Sequence, residues 1–274
     1  SQADALLMVV RSFDNPSVSH INGHIDPNRD IESIDLELTF SDLSILERQL
    51  ERLADGLKGA RGSDRENFLL KRGLIEKVKL GLEAGTPIRD QVLTLDEKKD
   101  LSNYQFLTDK PILLLLNVGE NDLVKADALQ LELNENFNRP KLSGAVICGK
   151  LEEELSQLGD TESVEFRVSM GGGEPALDKV IRESYDILGL VSFLTVGSDE
   201  VRAWPIPRAT IASKAAGKVH SDIERGFIRA EVITYEAMMA CGNMTEARRQ
   251  GLLRQEGKNY CIEDGDVVNF LFNV

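Results

Sequence analysis

The chain has 274 residues, a formal net charge of -14, 42% hydrophobic residues and three cysteines. That length and apolar content suffice for at least two ordinary domains. The acid excess excludes a protein that coats nucleic acid by bulk charge, and no stretch approaches the roughly 18 apolar residues of a membrane span. Cys148, Cys241 and Cys261 lack C-x-x-C spacing, which fits a reduced cytosolic protein better than a disulfide scaffold or zinc site. The charge is uneven. From Glu200 onward ten basic residues face ten acidic ones, whereas residues 1–199 carry 22 basic against 36 acidic.

Ala5 to Val10 (ALLMVV) reads as a strand buried on both faces. The sequence opens without Met, and so early a buried strand leads us to expect a preceding segment. Residues 11–32 are rich in Asn, Pro, Gly and Asp and read as an irregular loop. His20 and His24 have helical metal-ligand spacing, but the Gly23 and Pro27 neighbours argue against a helix and hence against a metal. From Ile31 the pattern turns helical. Leu43, Leu46, Leu50, Leu53 and Leu57 form a three-four seam, GARGSD breaks it, and Ser63 or Asp64 can cap a second helix. Phe68, Ile75, Val78 and Leu82 supply the returning stripe of an antiparallel hairpin that closes near Gly85 to Pro87. So narrow a seam leaves much of both helices to pack on the same domain or to engage a partner. A short helix at about Asp96 to Tyr104 follows.

Ile112 to Leu116 is an unbroken run of five apolar residues, placed after Pro111 and before Asn117-Val118-Gly119-Glu120. It predicts a second two-sided strand lying beside ALLMVV. Parallel sheets bind ligands beyond the carboxyl ends of their strands, where this turn would present an amide and a carboxylate to a planar heterocycle such as a nucleotide base. A plain helix-capping loop has the same spacing. Residues 123–138 read as an amphipathic helix. GAVICGK repeats the strand-and-turn arrangement, bringing Cys148, Gly149 and Lys150 to the same sheet edge ahead of the helix LEEELSQL. Gly171-Gly172-Gly173 reads as a flexible junction, and PALDKVIRESYDILGL as a helix. Beyond Val191 the texture is β: VSFLTV, VRAWPI, FIRAEVITY, NYCIED and VVNFLFNV, with at least one helix between, make a small α+β unit of the β-grasp kind. Trp204 belongs to its core.

EVRAWPIP, AAGKVHSDIERGFIRAEVITYEAM and RQEGKNYCIEDGDVVNFLFNV resemble the C-terminal TGS domain of the YchF subfamily of Obg-like P-loop GTPases and ATPases. DALLMVVRSF and HINGHIDPNRDIESIDLEL resemble the stretch that follows that family's second switch. The resemblance implies an α/β fold with three parts. Residues 1–32 and 105–190 would be an incomplete nucleotide-binding domain with a partial parallel sheet, 33–104 a helical coiled-coil insertion, and 191–274 the TGS domain.

On this resemblance Asn117, Val118 and Glu120 match the N-x-x-E base-reading turn, and Cys148 and Gly149 the last base-contacting turn. A Glu where ordinary GTPases carry Asp misplaces the guanine acceptor, so relatives of this type tend toward ATP. The implied ligands are ATP or GTP with Mg²⁺ in an intact protein. The implied partners are purine nucleotide and the ribosome, through its RNA or proteins, in the cytoplasm, with no membrane and no specific DNA. By charge, Lys214, Lys218, Arg225, Arg229, Arg248, Arg249 and Arg254 are candidates for a patch facing RNA phosphate, with plain solvated surface as the alternative for each. No G-x-x-x-x-G-K-[ST] occurs in the 274 residues. Without that phosphate cradle this chain by itself is expected not to hydrolyse nucleotide. The alternative is a non-catalytic ribosome- or RNA-binding module made of the hairpin and the TGS domain.

Overall fold

The apolar run that dominates the sequence becomes the middle strand of a parallel sheet. Strand β1 (Leu6–Ser12), β2 (Ile112–Val118) and β3 (Leu142–Ile147) lie in the order β1-β2-β3, with Val10 opposite Leu116 and Leu116 opposite Val146. This computed structural model describes residues 3–20, 23–137, 139, 141–170, 173–197 and 200–273, which form two compact units, Ser1–Ile187 and Leu188–Val274. Two glycines of the expected junction, Gly171 and Gly172, lie outside the described residues. No helix is long and apolar enough to cross a membrane among the described residues.

In the first unit Ile112 to Leu116 are all buried, as expected for a strand covered on both faces. Ile112, Leu114 and Leu116 join Met8, Val10 and Val146 in one cluster, while Leu113 and Leu115 join Ala145 on the other face. Burying each such side chain contributes about 1.5–3 kcal/mol. Helix α1 (Pro27–Gly59) begins four residues before the expected Ile31, because Asp26 caps it by accepting from Arg29 N at 3.1 Å and Pro27 suits its first turn. His20 and His24 hold this entry, through Asp30 and Arg29 respectively.

Helix α2 (Gly62–Glu83) returns along α1. Its cap is Arg61 without a side-chain bond, so Ser63 and Asp64 sit inside the first turn instead of ahead of it. Leu46 and Leu53 meet Ile75, Val78 and Leu82 in the hairpin core, and Lys79 lies 3.2 Å from Glu47, which fixes the antiparallel sense. The buried Asp42 carboxylate accepts from Leu107 N at 3.0 Å and Thr108 N at 2.7 Å. It ties the hairpin to the segment entering β2. Helix α3 (Leu95–Leu101) carries the capping box Thr94/Glu97.

Helix α4 (Ala126–Phe137) covers β3 and protects its free edge. The Gln130 amide accepts from Val146 N and donates to Gly144 O, as a neighbouring strand would. Helix α5 (Gly149–Leu155) matches LEEELSQL, and α6 (Asp160–Ser169) has no counterpart in the sequence reading. Its Val164 and Val168 share a face but are exposed, and Phe166 lies off that face. Helix α7 (Ala176–Leu188) packs Val180 on the Leu113/Ala145 face.

The second unit is a mixed five-stranded sheet of β4 (Leu190–Val196), β5 (Val201–Pro207), β6 (Phe227–Thr234), β7 (Arg254–Glu256) and β8 (Asp266–Phe272), ordered β5-β4-β8-β6-β7. Helix α8 (Ala212–Val219) lays Ala212, Ala215 and Ala216 on Phe193, Phe227, Ala230, Val232, Val268 and Phe270. Trp204 packs on this cluster and donates from Nε1 to Thr195 Oγ1 at 2.9 Å. Helices α9 (Ser221–Arg225), α10 (Tyr235–Cys241) and α11 (Met244–Arg249) complete the unit, where the sequence required only one.

The expected strand NYCIED is not one. Tyr260 Oη and Glu263 N both donate to Asp266 Oδ2, at 2.8 and 3.0 Å, which curls the segment into turns and leaves a single bridge from Cys261 to Ile211. At Gly226 a side chain is impossible without moving the backbone, since a Cβ would lie 2.2 Å from Asn273 O.

Candidate functional site

The parallel register aligns the carboxyl ends of the first sheet, with Arg11 opposite Asn117 and Asn117 opposite Ile147. Asn117 therefore reaches the turn that follows β3, and its Oδ1 accepts from Gly149 N at 2.9 Å. That bond fixes the orientation of the amide: the oxygen faces Gly149, and Nδ2 keeps both hydrogens without a partner among the described residues. A Cβ at Gly149 would lie 3.3 Å from Asn117 Oδ1, so glycine lets the turn approach this closely.

Glu120 opens the 3₁₀ turn after β2 and reaches the same place. Its Oε2 lies 2.7 Å from Lys150 Nζ, and Lys150 is also 3.6 Å from Glu154. The hydrogen bond to Glu120 is the main cause that raises the Lys150 ammonium above the usual lysine value. Residues 117, 120, 149 and 150, from two separate turns, are thus one constellation. It offers two amide hydrogens, one unpaired carboxylate oxygen and an ammonium.

Val118 and Cys148 do not present side chains to it. Both are buried in the core cluster below the sheet, so only their backbone can take part. The Gly149 N–H is engaged by Asn117 Oδ1 and is not open to a ligand.

Two residues that the sequence reading passed over flank the turn from β1. Phe13 packs against Gly119, where a Cβ would lie 3.2 Å from Phe13 Cβ. Arg11 donates from Nη1 to Val18 O at 3.0 Å, and its Nε is buried with no partner among the described residues. The signal for both lay in the pairing of ALLMVV with the 112–116 run, which carries RSF to the edge that holds Asn117. A cavity of about 590 Å³ lies beside this edge, bordered by Gly149, Glu152, Leu155 and Arg167. Neither Asn117 nor Glu120 lines it, so the polar groups of the strand ends, and not this hollow, define the site.

The chain is 37% identical over its whole length to the ribosome-binding ATPase YchF of Bacillus subtilis, of which it covers 74%. The chain belongs to the YchF family. The YchF of Haemophilus influenzae, also named a ribosome-binding ATPase, is 39% identical with the same coverage, and Obg-like ATPase 1 of Caenorhabditis elegans is 34% identical over 69% of its length. Residues 190–273 match the family model YchF-GTPase_C, described as a protein of unknown function (DUF933). Among solved structures, the YchF GTPase of Schizosaccharomyces pombe superposes with a TM-score of 0.81 at 30% identity, covering 98% of this chain and 72% of that one.

The second unit of this YchF-family chain treats its basic residues differently. Lys214 lies 2.6 Å from Glu224, Arg248 2.6 Å from Glu231, Arg249 2.5 Å from Glu246 and Arg254 3.4 Å from Asp266, while Arg225 pairs with Asp222. Only Lys218 and Arg229 of the seven expected residues have no acidic partner among the described residues. Burial pushes the Glu231 carboxyl up, but hydrogen bonds from Asn269, Arg248 and Gln255 outweigh it and hold it below the usual glutamate range.

Proposed function

We propose that this chain is the base-recognising and partner-docking part of a YchF-type nucleotide hydrolase, which converts ATP or GTP to the diphosphate and associates with the ribosome in the cytoplasm. On this reading the first unit is the incomplete nucleotide-binding domain with the coiled-coil insertion, and the second is the TGS domain. The observation that carries it is the constellation at the strand ends, where Asn117 Nδ2 and Glu120 Oε1 remain open to a ligand. The names of the relatives supply the reaction class and the ribosome.

A purine offers N7 as an acceptor to Asn117 Nδ2 and exocyclic or ring N–H groups to Glu120. The residues of this chain fit the base and not the rest of the nucleotide. No phosphate-loop motif is present in the sequence, and no three His, Cys, Asp or Glu come together as a metal set among the described residues. The chain's own contribution is therefore to bind and orient the base, and the 274 residues alone should show no hydrolysis above background.

Titrating the isotope-labelled chain with ATP and with GTP tests this reading. Amide shifts confined to residues around 117–120 and 148–150 are expected, and a response elsewhere or none at all overturns it.

A further inference from the structure

Lys179 and Glu183 stand four residues apart on α7, a spacing that puts an ammonium and a carboxylate within reach of each other. Among the described residues the two form no ion pair. Each is turned to another element instead. Lys179 Nζ donates to Gln130 Oε1 of α4 at 2.7 Å and lies 3.5 Å from Val146 O, while Glu183 Oε2 accepts from Ser143 Oγ of β3 at 2.8 Å. A cavity of about 350 Å³ opens between them, lined by Gln130, Asn134, Ser143, Gly144, Lys179 and Glu183. No apolar side chain lines it, and its volume is at the small end for ligand pockets.

The hydrogen-bonding capacity left in this cavity is divided by sign. Gln130 is spent on Val146 N, Gly144 O and Asn134 Oδ1, besides Lys179. Because Asn134 Oδ1 faces Gln130, Asn134 Nδ2 keeps both hydrogens without a partner among the described residues. Lys179 keeps a third ammonium hydrogen. These two groups are donors for an anion. Opposite them, Glu183 Oε1 lies 4.0 Å from Arg182, which is turned to Glu174, and so remains an acceptor for a cation.

Burial is the main cause that pushes the Lys179 ammonium below the usual lysine value, against the opposing fields of Glu183, Glu174 and Asp127. A simple anion placed at Lys179 would meet the same three carboxylates, and a simple cation placed at Glu183 would meet Lys179. A molecule that carries both charges on neighbouring atoms avoids each repulsion by satisfying both ends.

We propose that this cavity binds a small zwitterion, a free α-amino acid with a short side chain. Its carboxylate takes Lys179 Nζ and Asn134 Nδ2, and its ammonium takes Glu183. The site runs along the edge of β3 and is independent of the base site at the strand ends.

The test is an NMR titration of the isotope-labelled 274-residue chain with glycine, sodium acetate and methylammonium chloride, at fixed pH and ionic strength. Glycine should shift amides around residues 130–134, 143–146 and 179–183 and saturate in the millimolar range. Acetate and methylammonium should each bind about tenfold more weakly, because one charged group of the site is then left without a counterpart. Glu183→Gln should bring glycine down toward acetate, whereas Lys179→Met should weaken glycine and acetate alike. Acetate binding as tightly as glycine, shifts that do not saturate, or glycine affinity unchanged in Glu183→Gln would each overturn the proposal. The comparison of the three probes is made on the wild-type chain, so it decides even where a variant fails to fold.

Discussion

The strand ends of the first unit and the basic surface of the second treat their polar groups in opposite ways. At the strand ends, Asn117 uses its oxygen to hold Gly149 and keeps its Nδ2 hydrogens open, and Glu120 gives one oxygen to Lys150 and keeps the other. In the second unit five of the seven basic residues expected to face RNA are closed onto neighbouring carboxylates. Ten basic residues among the last 75 are a composition, and the carboxylates beside five of them set how much of that charge is left to a phosphate. What makes a group available to a ligand is the valence left after the fold has taken its share.

The largest test of this contrast is Asn117→Ala. It removes the donor aimed at the base and leaves Gly149 N–H without its acceptor, so nucleotide affinity of the chain should fall about tenfold or more, read by titration. Next is Glu231→Leu, which removes the acceptor shared by Arg248, Gln255 and Asn269. It should lower the stability of the second unit by about 1–3 kcal/mol in denaturant unfolding. It would also free Arg248, so the salt slope of ribosome co-sedimentation should steepen if a released arginine reaches phosphate.

The acid side gives a smaller, graded effect. Because the folded Glu231 carboxyl titrates below the 4.5 of an ordinary glutamate, its contribution is complete above that pH and is lost as the pH falls through the folded value. Melting curves of the chain between about pH 5 and pH 3 should fall less steeply in Glu231→Gln than in wild type. The smallest effects separate closed from open charges. Arg225→Gln and Arg249→Gln should leave the salt slope of ribosome binding unchanged, while Lys218→Gln and Arg229→Gln should each reduce it by about one if these two meet phosphate. Equal effects from all four variants would dissolve the contrast between the two regions.

Much of the architecture was legible before the structure. The two-sided burial of Ile112 to Leu116, the leucine seam of α1 and the stripe of α2 follow from apolar periodicity, which depends on near neighbours in the chain. Element ends were less legible where a side chain decided them, as Asp26 did for α1. NYCIED has the composition of a strand, but its bonds to Asp266 and the turn from Gly257 O to Tyr260 N hold it in turns. Helix α6 gave a weak signal because Phe166 lies off the face that Val164 and Val168 share.

The site divides in the same manner. Asn117 and Glu120 could be picked out from a run that ends in an amide and a carboxylate, and Gly149 and Lys150 from a strand that ends in a small turn. The sequence by itself determined which chemistry is present at each turn, because residue type and local period are written along the chain. Only the tertiary structure decided that Gly149 N–H closes on Asn117, that Lys150 closes on Glu120 and that Arg248 closes on Glu231. Those bonds join residues separated by 32, 30 and 17 positions, and no local pattern records a partner that only the packing of strands and turns brings within reach.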